Sequence, residues 1–243
     1  MEVKNIILFV IIIVLLIIVI RYIMKDVNTL SGLTSGKTMQ KVEPDDLASS
    51  NNGNTSNFTY SIWFYVDDWN YRYGEPKVIF GRMTTGGGKK EPCPSVTLGP
   101  IQNNIIVSLA VYPGLDEAPE DGTNYIVHTC GMSNVPIQRW CNLFMSVYGR
   151  TLDLYLDGKL VRTCVLPGVA KIDSSAPVYI TPMGGFSGWT SRFQYWPDSS
   201  NPQKAWDIYK AGYGGSLLGS LFGKYTIKVS LMEGDTEDAS FEI

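Results

Sequence analysis

Carboxylates, cysteines and a single histidine are the groups in this 243-residue chain that could carry a reaction. Hydrolysis of a glycosidic bond needs two carboxylates flanking one site. Asp67 and Asp68 are adjacent, at the end of an alternating run, with no third acid at a useful spacing. The run Glu233 to Asp238 (EGDTED) reads as a solvated hairpin loop, because runs of like charge usually face water. His128 is the only histidine, and a lone histidine in a strand is more often structural than a general base. Cys93, Cys130, Cys141 and Cys164 contain no CxxC or CxxxC pair, so no metal site is expected. Four cysteines allow three disulfide pairings, and spacing does not choose among them. The segment 85–90 (TGGGKK) lacks the spacing of a phosphate-binding loop. These residues point away from catalysis, and no cofactor is expected.

Groups that could bind rather than react are easier to find. Residues 67–73 read Asp-Asp-Trp-Asn-Tyr-Arg-Tyr. Trp69, Tyr71, Arg72 and Tyr73 mix aromatic faces with polar groups, as sugar-binding sites and protein hot spots both do. Trp189, Tyr195 and Trp196 are further candidates. The competing expectation is structural: Trp63, Trp140 and Trp189 fill the core and Trp69 plugs one end, since tryptophan is highly buried on average.

The elements that position these residues are strands. The chain holds 24 Gly and 13 Pro and is rich in Tyr and Asn, a composition that suits short strands joined by turns. Its net charge of -3, without any basic stripe, excludes nucleic acid as an expected partner. Phe58, Tyr60, Ile62, Phe64 and Val66 alternate on one face of a strand. Further strands are predicted at 77–81, 95–98, 104–112, 125–129, 178–181, 186–195 and 224–231. Residues 140–148, 151–156 and 159–166 predict a three-stranded meander, its second turn marked by Asp157-Gly158. A helix is predicted over 203–210, behind Asn201-Pro202. Many short strands and one helix indicate an all-β, two-sheet antiparallel jelly-roll sandwich.

Ahead of it, residues 6–20 (IILFVIIIVLLIIVI) contain no polar side chain. Carried on to Met24, a helix would span roughly 29 Å at ~1.5 Å per residue, close to the hydrocarbon thickness of a bilayer. One transmembrane α-helix is therefore expected within residues 1–25. Ile6, Phe9, Leu15 and Ile20 would lie in lipid, with Arg21 and Tyr22 at the headgroups. Residues 26–57, rich in Ser, Thr, Asn and Gly, read as a flexible stalk, and 58–243 as the globular domain. Arg21, Lys25, Lys37 and Lys41 against Lys4 alone favour a cytosolic domain under the positive-inside rule. The acceptor sequences at Asn54 and Asn57 would then stay unmodified.

Three blocks carry a family resemblance: FTYSIWFYVDDWN, VPIQRWCNLFMSVYGRTLDLYLDGKLVRTCVL and GGFSGWTSRFQYWPDSSNPQKAWDIYKAGYGG. They resemble the concanavalin A-like lectin/glucanase fold in its laminin-G-like branch. Trp140, the strand 143–147, then Leu154, Tyr155, Asp157, Gly158 and Val161 are the most specific part. Glucanases of this fold carry an E-x-D-x-x-E string, which this chain lacks, so the resemblance implies a non-enzymatic member. Some laminin-G-like domains bind Ca²⁺ or glycans at the sandwich rim. Anchor, stalk and sandwich together resemble membrane-associated minor capsid proteins of large icosahedral DNA viruses. That resemblance implies a virion internal membrane, with the domain facing the capsid and contacting the bilayer and other capsid proteins. A membrane-bound glycan-binding lectin is the alternative expectation, and a divergent glycosidase the third.

Overall fold

The computed structural model describes residues 12–17, 28–47, 56–84, 91–114, 123–214, 228–233 and 236–242. Two antiparallel sheets pack face to face. Strand order in the first is β1 (Thr29–Ser31), β13 (Ser187–Trp196), β4 (Phe58–Asp68), β9 (Trp140–Tyr148), β10 (Thr151–Leu156) and β11 (Lys159–Val165). The two-residue β2 (Thr34–Ser35) also pairs with β13. The second sheet runs β3 (Gln40–Val42), β12 (Val178–Ile180), β5 (Lys77–Thr84), β6 (Glu91–Leu98), β7 (Ile105–Val111) and β8 (Ile126–Met132). β14 (Lys228–Glu233) and β15 (Thr236–Glu242) pair antiparallel as a separate two-stranded sheet, and the middle of the acidic run at 233–238 lies outside the described residues.

Alternation in β4 explains why the sheets pack. Phe58, Tyr60, Ile62, Phe64 and Val66 are all at most 1% exposed and belong to one core cluster. They meet Cys141, Leu143, Met145 and Val147 of β9 and Val96, Leu98, Val107 and Leu109 from the other sheet within that cluster. Tyr60 centres an aromatic knot with Phe80, Phe193 and Tyr195, at 4.9–5.8 Å between ring centroids. Each such ring, fully removed from water, contributes roughly 1.5–3 kcal/mol. The predicted Asp157-Gly158 turn has both residues at positive φ, 52° and 74°, as a two-residue hairpin of this hand requires. The helix α2 (Pro202–Ala211) is capped by Asn201, whose side chain accepts a hydrogen bond from Lys204 N at 2.9 Å.

The structure departs from the sequence-based expectations in two places. Residues 29–42, assigned above to an irregular stalk, carry β1, β2 and β3 and extend the edges of both sheets. These strands are two or three residues long and held by backbone pairing to β12 and β13, so no apolar period marks them. Residues 48–55, including Asn54, lie outside the described residues. The second departure concerns the tryptophans. Trp63, Trp140 and Trp189 stand on the face of the first sheet opposite the main core; Trp63 is buried there at 4% exposure, whereas Trp140 is half-buried and Trp189 exposed. Trp63 alternates with Ile62 and Phe64, and Trp140 precedes the inward Cys141, so strand parity directs both outward.

Residues 12–17 form a short helix, α1, with exposed apolar side chains. Among the described residues no helix is long and apolar enough to cross a membrane. The rest of the expected anchor, including Ile6, Phe9, Ile20, Arg21 and Tyr22, lies outside the described residues.

Of the three possible disulfide pairings, the structure has Cys130–Cys164, while Cys93 and Cys141 are free and buried. Cys130 is on β8 and Cys164 on β11, the terminal strands of the two sheets on one side of the sandwich. The bond closes that side, with a Cα–Cα distance of 6.2 Å. Burial pushes the Cys93 thiol up to about 12 and the Cys141 thiol up to about 11, so neither is a nucleophile at neutral pH.

Candidate functional site

The outer face of the first sheet is half covered. Helix α2 lies over it, fixed by a second small core of Phe144, Tyr155, Ala205 and Ile208, with Trp196 packed against that cluster. Thr59 and Ser146 tie the chain before the helix down, through Asp198 O at 2.8 Å and Ser200 O at 3.2 Å. Trp63 lies beneath the helix end, stacked on Tyr209 at 5.9 Å, and is only 4% exposed.

Beyond the helix the aromatic surface emerges. Register pairs Trp189 of β13 with Tyr65 of β4, and Tyr65 with Trp140 of β9. Directly opposed residues share a face, so three aromatic side chains form a row across three neighbouring strands. At ~4.8 Å between strands the row is about 10 Å long. The Tyr65 and Trp140 rings are 5.8 Å apart, and Tyr213 stacks on Trp140 at 4.5 Å with planes 9° apart. Tyr213 is held there by its carbonyl, which accepts a hydrogen bond from Ser191 Oγ at 2.9 Å. Trp189 remains 48% exposed, and Tyr65, Trp140 and Tyr213 are half-buried. Such a strip offers flat π faces to the C–H faces of pyranose rings. The chain before β9 frames it: Gln138 donates its backbone N–H to Val66 O at 2.7 Å, and Arg139 pairs with Asp157. Asp157 also accepts from Asn142 N at 2.9 Å.

The sequence-predicted site splits in two. Trp69, Tyr71, Arg72 and Tyr73 sit on the loop after β4, at the same end as the row. Trp69 packs against the core, and its Nε1–H donates to Ile101 O at 3.0 Å, so it does plug the sandwich end. Tyr71 donates its hydroxyl to Gly184 O at 3.1 Å. Arg72 joins Glu75 at 2.7 Å and donates to the carbonyls of Met183 and Gly185. Tyr73 is 58% exposed. Trp196 is apart from these, beside α2 with Lys204 Nζ 4.7 Å from its ring centre. Of the row residues, the sequence names Trp189 as a further candidate and, in the competing expectation, places Trp140 and Trp189 in the core; it does not single out Tyr65 or Tyr213. Parity in β4 and β9 is the signal that finds Tyr65 and Trp140. Among the described residues, no group of three or more His, Cys, Asp or Glu could hold a metal.

Residues 40–197 match the family profile described as the concanavalin A-like lectin/glucanases superfamily, over more than half of the chain. No curated protein matches. Similar solved structures include a mutant of HCR/D, at TM-score 0.52 and 12% identity, covering 76% of this chain and 45% of that one. The botulinum neurotoxin type G receptor binding domain aligns at TM-score 0.47 and 16% identity, over 74% of this chain and 46% of that one. A botulinum neurotoxin serotype D ligand binding domain in complex with N-acetylneuraminic acid aligns at TM-score 0.48 and 12% identity, over 75% and 46%. The chain thus spans a little under half the length of these structures, and at such identities the likeness is one of fold.

Proposed function

Because the chain belongs to the concanavalin A-like lectin/glucanases superfamily, we propose that it is a glycan-binding module that holds sugar rings on the Trp189–Tyr65–Trp140 row. The exposed aromatic row is the observation that carries this reading. Trp189 is 48% open to water beside the half-buried Tyr65 and Trp140, and a contiguous exposed aromatic strip of this kind marks a binding surface. The module binds without hydrolysing. Asp157 is engaged with Arg139 and the backbone of Asn142, and Asp153 accepts from Thr163 Oγ1 at 2.5 Å, which supports this part of the reading.

The sandwich is presented from a membrane by the apolar segment at residues 6–20. The exposed apolar side chains of α1 are what lipid would cover. We place the sandwich on the oxidising side of that membrane, because the Cys130–Cys164 bond requires an environment in which thiols oxidise. The flanking charges favour the cytosolic side by a few residues only, and the disulfide outweighs them in this reading. A linking role beneath a capsid shell, expected from the sequence resemblance, has no observation in the fold that favours it over glycan binding.

The test is binding of the full chain, in detergent, to immobilised oligosaccharides of varied backbone. Wild type is expected to select a subset, and Trp189→Ala to lose it while keeping its unfolding transition. Equal retention by wild type and Trp189→Ala would remove the row from the function.

A further inference from the structure

Two lysines from outside the loop at 69–76 stand over its aromatic rings. Lys77, the first residue of β5, is 1% exposed, and its Nζ has no hydrogen-bond partner among the described residues. Its ammonium lies 4.8 Å from the centre of the Trp69 ring. Lys37 stands over the next aromatic of the same loop, with Nζ 4.7 Å from the Tyr71 ring centre. Lys37 is exposed and forms no ion pair among the described residues. Ring faces satisfy a cation only partly: about 0.5–2 kcal/mol, against several for a fully hydrogen-bonded charge. Neighbouring carboxylates do not make up the difference. Glu75 is bound to Arg72, and Asp68 accepts from Asn70 N at 2.9 Å. Burial first, and then Arg72, lower the Lys77 pKa, as expected for an amine short of acceptors.

This loop adjoins the aromatic row. Ser35 pairs in register with Trp189, and Gly36 N donates to Gly188 O at 2.7 Å, so Lys37 follows directly from the edge of the row. Tyr65 and Trp69 lie four positions apart in the same chain, at the end of β4.

We propose that Lys37 and Lys77, with Trp69 and Tyr71, form an oxyanion subsite, so that the glycan bound on the row is an acidic one bearing a carboxylate or sulfate group next to the ring on Trp189. This inference rests on the glycan-binding reading and names its ligand class. The ligand oxyanion supplies the hydrogen-bond acceptor that the Lys77 ammonium lacks. To reach it, the Trp69 indole swings aside and gives up a single hydrogen bond, that to Ile101 O. Lys37, already at the surface, meets the anion first.

The experiment is calorimetric titration of the full chain in detergent with three probes of equal length: chitohexaose (neutral), hexagalacturonate (carboxylated) and a heparin hexasaccharide (sulfated). At least one anionic probe is expected to bind roughly tenfold or more tighter than the neutral one, the scale of one charge-assisted hydrogen bond. That advantage should shrink on raising salt, and the two anionic arms separate carboxylate from sulfate recognition. Lys37→Gln, at an exposed position, should remove most of the advantage while leaving chitohexaose binding unchanged. Lys77→Met should do the same, and if it fails to fold, Lys37→Gln and the salt dependence decide alone. Equal affinity for all three probes, insensitive to Lys37→Gln, overturns the subsite and leaves the glycan reading standing. No binding by any probe, with Trp189→Ala indistinguishable from wild type, overturns both.

Discussion

Loss of the Cys130–Cys164 bond should destabilise the sandwich by an amount set by the loop it closes. The two cysteines are 34 residues apart in sequence. In the chain-entropy account, closing a loop of that length in the unfolded state is worth about 3.8 kcal/mol at 25 °C. For a domain of this size about 1 kcal/mol moves the midpoint by roughly 2–4 °C, so reduction should lower Tm by roughly 8–15 °C. Cys164→Ser is the cleaner variant, because Cys164 is half-buried whereas Cys130 is 1% exposed and its truncation would also open the core. The assay is thermal and urea unfolding followed by circular dichroism, with and without a phosphine reductant. Thiol titration of the denatured chain should find two free thiols before reduction and four after, from the two free cysteines and the one bond. Wild type and Cys164→Ser should differ without reductant and converge with it. Four thiols before reduction, or a midpoint indifferent to reductant, would refute the reasoning and with it the placement of the domain on an oxidising side.

Other outcomes follow from the same structure. Phe64→Ala, at a fully buried position, should cost about 3–5 kcal/mol in urea unfolding. Asn201→Ala should cost about 1 kcal/mol by removing the α2 cap, seen as earlier loss of the helical signal. Gly158→Ala combines a φ of +74° with a Cβ 3.0 Å from atoms of Trp206 and Tyr209, so it should cost at least about 1 kcal/mol and change the near-ultraviolet spectrum as α2 shifts. The Cys93 and Cys141 thiols are pushed up to about 12 and about 11, above the ~8.5 of an unfolded thiol. Unfolding therefore releases protons at high pH. Stability from these two groups is full below pH ~8.5 and falls as pH rises toward those folded values, which urea midpoints across pH 8–11 would show.

What could be read from the sequence followed one rule, alternation. The run from Phe58 to Val66, the meander and the Asp157-Gly158 turn all obey it, and they specify the core. The same rule puts Trp63, Tyr65 and Trp140 on the other face, although residue type alone suggests burial for Trp63 and Trp140. Tryptophan is usually buried, and here α2 covers only Trp63 of the three. The edge strands β1, β2 and β3 escaped notice because two or three residues have no period to read. The lysine subsite was legible only in part: the loop aromatics stand out, but Lys37 and Tyr71 are far apart in sequence and meet only because β2 pairs with β13. The disulfide pairing likewise depends on which strands end the two sheets, a property of topology and not of spacing.

The most direct test of the central claim is to watch the indole N–H resonances of the full chain in detergent while titrating an oligosaccharide that binds. Saturable shifts at Trp189 and Trp140, with Trp63 and Trp206 unmoved, are the result predicted for sugar rings seated on the row. Binding that shifts neither Trp189 nor Trp140 would contradict it.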